Sequence, residues 1–106
     1  MAAPQFQNEG TRLRKLMRER ILKMRFRFHA KGRMKEYNIS MPDVVTVLKR
    51  GAVIDVECEA NGDEKWTAQG RLASDGRIVH IVVKADENEI SIAVVTVIDK
   101  TNKKHR

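Results

Sequence analysis

The spacing of apolar residues in the first third of the chain predicts two helices. Between residues 11 and 27, apolar side chains recur every three or four positions, which is the period of one face of an amphipathic helix. In the following stretch, Ala30 and Met34 form a short apolar row one helical turn apart, with lysines facing away from it. We therefore expect a second helix that carries this row.

The middle of the chain changes from a helical period to a strand period. Ser40 is placed to cap a third helix, with Asp43 in its first turn and Gly51 at its end. After Gly51 apolar and polar residues alternate, and this pattern places Cys58 and Trp66 on the inward side of two strands. Turn signals separate four such strands, beginning near residues 52, 65, 77 and 89.

These elements predict an α+β domain, with N-terminal helices packed on a four-stranded antiparallel β-meander. The last two strands are apolar on both faces, so we expect them to be central or covered on both sides. A single domain is expected over residues 11–100, between a loose tail at 1–10 and a basic tail at 101–106.

Composition narrows the class of protein. No apolar run is long enough for a membrane span, and the N-terminus lacks the apolar stretch of a secretory signal. Cys58 is the sole cysteine, and His29, His80 and His105 are scattered without zinc-ligand spacing. We expect a cytoplasmic protein without a metal, a cofactor or a membrane partner.

The positive charge is concentrated in one segment. Residues 11–27 hold eight basic residues and one acidic residue, which equals the whole net charge of +7. If this segment is one helix, its polar face is strongly basic. Such a face is either a solvated surface or a docking surface for a polyanion or an acidic protein.

The candidate chemistry lies on the second helix and the third strand. His29, Arg33 and Tyr37 recur every four residues and share one flank of the helix, whereas His80 lies on an otherwise apolar strand. Each has a structural alternative: a helix edge for the first three, and a core or edge histidine for His80. Arg71 has one as well, because it could pair with a glutamate across the hairpin.

Metal-free RNA cleavage needs residues of these types. The substrate's 2′-hydroxyl is the nucleophile, so the protein supplies proton transfer and cations that stabilise the phosphorane. His29 and His80 are the candidates for proton transfer and Arg33 is the candidate phosphate clamp, in a cleft shared by the second helix and the His80 strand. The candidate nucleic-acid contacts are Arg12, Arg14, Arg18, Lys23, Arg27, Tyr37, Arg71 and Lys84.

Residues 26–99 resemble a family of small bacterial proteins catalogued as a domain of unknown function. The resemblance is carried by FHAKGRMKEYNISMPDVVTVLKRGAVID, KWTAQGRL, RIVHIVVK and ISIAVVTVID. That family is similar in layout to BrnT-type and RelE-type toxins, the ribonucleases of type II toxin–antitoxin systems. The resemblance implies a toxin-like endoribonuclease that acts on RNA and is neutralised by an acidic or DNA-binding antitoxin.

Two other functions fit the same residues. A noncatalytic nucleic-acid-binding module would use the basic first helix and would lack a site for turnover. A protein-interaction module would dock an acidic partner on that helix. Salt-dependent RNA binding without cleavage favours the first, and indifference to nucleic acid favours the second.

Overall fold

The computed structural model describes residues 4–101, which form three helices and a five-stranded sheet. A 3₁₀ turn at Pro4–Phe6 leads directly into the first helix. The elements in chain order are α1 (Gln7–Met17), β1 (Lys23–Phe26), α2 (Phe28–Tyr37), α3 (Met41–Arg50), β2 (Ala52–Cys58), β3 (Glu64–Arg71), β4 (Ile78–Asp86) and β5 (Ser91–Asp99).

The two expected tails differ in how far the structure describes them. Residues 4–10, which we expected to be loose, form the 3₁₀ turn and the start of α1, and Gly10 is buried. At the other end, the expected basic tail lies outside the described residues except for Thr101.

The single basic helix expected over residues 11–27 is wrong, because α1 ends at Met17 and β1 follows. Leu22, Met24 and Phe26 also obey a two-residue period, and they pack against the core while the cations between them are exposed. Pairing with β5 supplies the hydrogen bonds that decide between the two periods. The basic residues are therefore divided among α1, β1 and the short segments that follow each of them.

The sheet has five strands in the order β1-β5-β4-β3-β2. Strands β2 to β5 pair antiparallel in sequence order, whereas β1 pairs parallel to β5, with Lys23 opposite Ser91 and Phe26 opposite Val94. The sheet is therefore mixed. The expectation of four antiparallel strands missed β1, whose partner lies about 70 residues away along the chain.

All three helices contribute to a core on one face of the sheet. In α3 the capping box is present: Asp43 N–H donates to Ser40 Oγ at 3.2 Å, and Ser40 N–H donates to Asp43 Oδ2 at 3.0 Å. This helix buries Val44, Val47 and Leu48. Helix α2 buries Ala30 and Met34, and α1 buries Leu13, Leu16 and Met17. The expectation of an α+β domain with helices on the sheet is confirmed.

The opposite face of the sheet carries no helix among residues 4–101, and we call it the open face. Strand β4 shows the division: Val79, Ile81 and Val83 are fully buried, whereas His80 and Val82 between them are half-buried. Of the two alternatives expected for β4 and β5, the central position is confirmed, since both lie between other strands, whereas no element covers their open face within residues 4–101. The residues of the open face include Lys65, Thr67, Gln69, Arg71, Ile78, His80, Val82, Lys84, Thr96 and Ile98.

A bulge in β2 lets Val53 and Val56, opposite Ala68 and Trp66, both face inward. Val53 pairs with Ala68, but Asp55 already pairs with Thr67, so the pairing register shifts between Val53 and Asp55. Cys58 keeps the inward side expected for it, opposite Glu64 and two residues after Val56, but as the last residue of β2 it is exposed with a free thiol.

Trp66 occupies the inward position expected for it and is only 3% exposed. Its indole Nε1–H donates to Glu64 Oε1 at 3.0 Å, and the Arg12 guanidinium lies over the ring at 5.0 Å from its centroid. Arg12 also binds Glu87 at 2.6 Å, which links α1 to the turn between β4 and β5.

We expect Trp66→Ala to lower the free energy of unfolding by roughly 3–5 kcal/mol, because it leaves a large cavity under α1. Urea denaturation followed by circular dichroism measures the change. Ile21→Ala is the control, since Ile21 is 68% exposed and its truncation should change stability by less than about 0.5 kcal/mol. Equal effects of the two substitutions would contradict the packing described for Trp66.

Candidate functional site

The flank of α2 that carries His29, Arg33 and Tyr37 forms as expected, but its contacts are local. Arg33 Nη1 donates to Tyr37 Oη at 3.3 Å and lies 3.6 Å from a carboxylate oxygen of Glu36. Tyr37 packs against the core, and His29 is exposed at the start of the helix. The stripe is therefore a helix edge in which the guanidinium already has two neighbours.

His29 and His80 do not share a cleft. Helix α2 packs on the core face of the sheet through Ala30 and Met34, whereas His80 lies on the open face. The shared site expected for His29, Arg33 and His80 is therefore wrong. The spacing of His29 and Arg33 is a property of the helix, but which face of the sheet the helix covers depends on tertiary packing.

His80 lies in a half-buried polar position on the open face. Its Nε2 is 2.8 Å from Gln69 Oε1 on the neighbouring strand, directly opposite in the register. Burial lowers the pKa of His80 below its ordinary value, and the positive charge of Lys100 lowers it further. The imidazole is therefore neutral at neutral pH. With the amide oxygen as acceptor, Nε2 carries the proton and Nδ1 is free to accept one.

Two cations lie beside this histidine. Arg71 pairs with Ile78, two residues before His80, so it is a diagonal neighbour of His80 at about 7–8 Å. One guanidinium nitrogen of Arg71 donates to Gly76 O at 3.0 Å, which fixes the side chain and leaves other N–H groups available. Lys100 is held at the end of β5, where its backbone N–H donates to Ile78 O at 2.9 Å.

A row of cations leads from the helical side of the molecule to this position. Arg14, Arg18 and Lys49 line one shallow cavity, Arg14, Lys49 and Arg50 line the next together with Gln69, and Arg50 lines a third with Arg71. We call Arg14, Arg18, Lys49, Arg50 and Arg71 the cationic band. Within residues 4–101, none of the five forms an ion pair.

Gly51 allows the band to turn around the edge of the sheet. A Cβ atom at this position would lie 2.4 Å from Gln69 O and 2.7 Å from Val47 O, so a side chain cannot be accommodated. The close approach brings the last turn of α3, with Lys49 and Arg50, directly against the strand that carries Gln69 and Arg71.

The remaining predicted nucleic-acid contacts fall into two groups. Arg12 and Lys84 are occupied, Arg12 by Glu87, and Lys84 by Glu59 at 2.7 Å and Asp63 at 3.6 Å. Lys23 and Arg27 lie at the β1 edge, exposed and without an ion pair in the described part of the chain. The structure therefore distinguishes cations that form ion pairs from cations that do not, a distinction that the number of charges in the sequence does not give.

Among the described residues, no group of three or more histidine, cysteine, aspartate or glutamate side chains is arranged to hold a metal ion. Nor does any helix in residues 4–101 have the length and apolar character needed to cross a bilayer.

Comparison with known protein families matches residues 26–99 to the domain of unknown function DUF4258. This match covers more than half of the chain. The chain belongs to the DUF4258 family. No curated protein and no solved structure matches it. The DUF4258 region contains His80, Gln69 and three members of the cationic band, whereas Arg14, on α1, and Arg18, directly after α1, precede the region.

Sequence reasoning missed Lys49, Arg50, Gln69 and Lys100. Lys49 and Arg50 were recognisable as basic residues in the last turn of a helix, but there they suit the helix dipole without any ligand. Gln69 carried a weak signal, since it alternates with inward residues on the strand before His80. Their significance comes from pairing in the sheet, which is not local in sequence.

We expect the His80 imidazole to titrate below 6.5, its ordinary value, in an NMR titration. Because the folded pKa is lower than the unfolded one, the unfolded chain binds more protons, and stability falls as the pH drops below 6.5. Lys100→Gln should raise the midpoint by removing a positive charge, whereas Lys31→Gln on α2 should leave it unchanged. A wild-type midpoint at or above 6.5 would contradict the described environment.

Proposed function

We propose that this protein is a toxin-like, metal-independent endoribonuclease that binds RNA along the cationic band and cleaves it beside His80. The main support for this proposal is a continuous surface of five cations, none of which forms an ion pair within residues 4–101. This surface ends next to a neutral histidine. A polyanion with regularly spaced phosphates matches such a surface, and single-stranded RNA follows a curved path more easily than a rigid duplex.

The chemistry of cleavage uses the substrate's own nucleophile. Neutral His80 accepts the proton of the 2′-hydroxyl through Nδ1, the 2′ oxygen forms a bond to phosphorus, and the bond from phosphorus to the 5′ oxygen breaks. The leaving 5′ oxygen takes a proton from water, which gives a 2′,3′-cyclic phosphate and a 5′-hydroxyl. Arg71 and Lys100 stabilise the negative charge that develops on the phosphorane.

His29 and Arg33 have no part in this arrangement, since they lie on α2 at the other side of the sheet. Substitution of His80 therefore tests the proposed catalytic position, and substitution of His29 tests a surface histidine of the same protein.

The toxin part of the proposal rests on the resemblance to BrnT-type and RelE-type toxins, and it implies an antitoxin partner. An acidic segment of such a partner would match the cationic band by charge and would compete with RNA for it. A gene for a small acidic or DNA-binding protein next to the gene for this chain would support that partner.

Replacement of two band cations should weaken RNA binding and its dependence on salt. For Arg14→Gln/Lys49→Gln, we expect the slope of log affinity against log salt to fall by about 1–1.5, with little change in melting temperature. Fluorescence anisotropy with a labelled single-stranded RNA measures both quantities. The matched control is Lys31→Gln/Lys35→Gln, which removes the same charge from exposed positions of α2.

Two outcomes of that experiment would overturn RNA binding at the band. One is an equal loss of RNA affinity in the control variant, which would indicate that binding depends only on the net charge of the protein. The other is the absence of RNA binding at low salt, in which case capture of a polyglutamate peptide would favour the protein-interaction function instead.

His80→Ala should lower the rate of RNA cleavage by about 10²–10⁴-fold, the usual effect of losing a general base. Purified protein is incubated with RNA in the presence of a chelator, and the fragments are examined for a cyclic phosphate end. In cells, induced wild type should arrest growth and His80→Ala should not. His29→Ala is the matched control and should cleave like wild type.

If His29→Ala lost cleavage and His80→Ala remained active, His29 and not His80 would be the general base. If wild type binds RNA but leaves it intact, the protein is a noncatalytic binding module, and the cleavage step is wrong while the band retains its function.

A further inference from the structure

Phe28 is an aromatic side chain that the fold leaves in solvent. It is the first residue of α2 and is 93% exposed. The other four aromatic residues pack inside: Trp66 is in the core, and Phe6, Phe26 and Tyr37 pack against it. Folding gains nothing from burial of the Phe28 ring, so its position calls for another explanation.

The residues just before Phe28 are exposed cations. Arg25 on β1 and Arg27, which directly follows the strand, line a groove on the open face together with Lys84 and Ala93. Neither arginine has an ion pair among the described residues, whereas Lys84 is neutralised by Glu59 and Asp63. Free positive charge in this groove therefore lies at the β1 edge.

The two ends of this groove carry opposite charges. The carboxylates of Asp63, Glu64, Asp86 and Glu87 line the groove near the turns between strands and the start of β5. Arg27 lies further along, where its backbone N–H donates to Val94 O at 3.0 Å. A polyanion on the open face is repelled at the turn end and is attracted toward Arg27 and Phe28.

This edge is within reach of the site at His80. His80 pairs with Ile98 on β5, and Arg27 lies one strand further, beside Val94. With strands about 4.8 Å apart and residues about 3.3 Å apart along a strand, the two positions are separated by roughly 15 Å. A few nucleotides of extended single-stranded RNA span that distance across the open face.

We propose that Phe28 is a stacking platform for one unpaired base of single-stranded RNA, and that Arg25 and Arg27 hold the neighbouring phosphates. This inference rests on the RNA-binding function proposed above and adds the form of RNA that is bound. An exposed aromatic ring beside cations is the combination that binds single strands without reading sequence, because every base has a π-face.

A duplex cannot use this platform, since its bases already stack on one another inside the helix. Binding at Phe28 therefore selects RNA whose bases are unpaired over the few nucleotides next to the cleaved bond. A protein partner would gain from burying Phe28 as an apolar group, and for such a contact leucine would serve nearly as well as phenylalanine.

The experiment compares Phe28→Ala, Phe28→Leu and Phe28→Trp in anisotropy titrations with a 12-nucleotide RNA, single-stranded and paired with its complement. We expect Phe28→Ala and Phe28→Leu to weaken single-strand binding by about 5- to 100-fold, and Phe28→Trp to bind at least as tightly as wild type. Duplex binding should be unchanged in all three. Met41→Ala is the matched control, because Met41 is the first residue of α3 and is 49% exposed.

Melting temperatures of the variants should equal that of wild type, since Phe28 makes no core contact. If wild type binds single-stranded RNA and Phe28→Ala binds it equally well, the platform is wrong and RNA binding at the cationic band stands. If Phe28→Leu binds like wild type, the ring does not stack and the inference is overturned. If wild type binds no RNA, the platform and the proposed function fail together.

Discussion

The parallel pairing of β1 with β5 joins the first strand of the chain to the last. Lys23 N–H donates to Ile90 O and Arg27 N–H donates to Val94 O, both at 3.0 Å. Ile90 adopts a left-handed φ of 51°, which a β-branched residue rarely does, and its carbonyl begins the ladder. The pairing converts a basic segment with a helical pattern into an edge strand. It also places α2 over β5 and leaves Phe28 at the end of the exposed cations.

The distribution of helices decides where chemistry can occur. Because α1, α2 and α3 all cover the same face, the inward residues of β3 and β4 complete the core, and the alternate residues remain accessible. Among these, His80 is polar enough to need a partner and buried enough to stay neutral. The cationic band reaches this face at the edge near Gly51, where the missing side chain of Gly51 lets the end of α3 approach β3 closely.

The parts of the fold that depend on neighbouring residues were predictable from the sequence. The Ser40–Asp43 capping box and the burial of Trp66 follow from local hydrogen bonding and alternation. The strand β1 was not, because Leu22, Met24 and Phe26 satisfy both periods and the deciding partner is distant. The exposure of Cys58 was not predictable either, because alternation gives a residue's side of the sheet and not whether the helices cover that end of the strand.

The candidate site was predictable in its residue types and not in its assembly. His80 and Arg71 were recognised from their chemistry, and the sheet register then places them together. His29 belongs to a helix flank that is equally convincing in sequence, but the helix packs on the other side. Lys84 shows the limit of counting charges, since two carboxylates from the β2–β3 connection neutralise it.

The exposed charges on β1 also bear on how the protein behaves at high concentration. An edge strand presents unpaired backbone groups on which a second chain can add, and charged side chains are a common protection against such association. Lys23, Arg25 and Arg27 supply this protection at one edge, while α1 and the 3₁₀ turn contact β2 at the other. Neutralising the β1 cations would therefore remove a barrier to aggregation, whatever they bind.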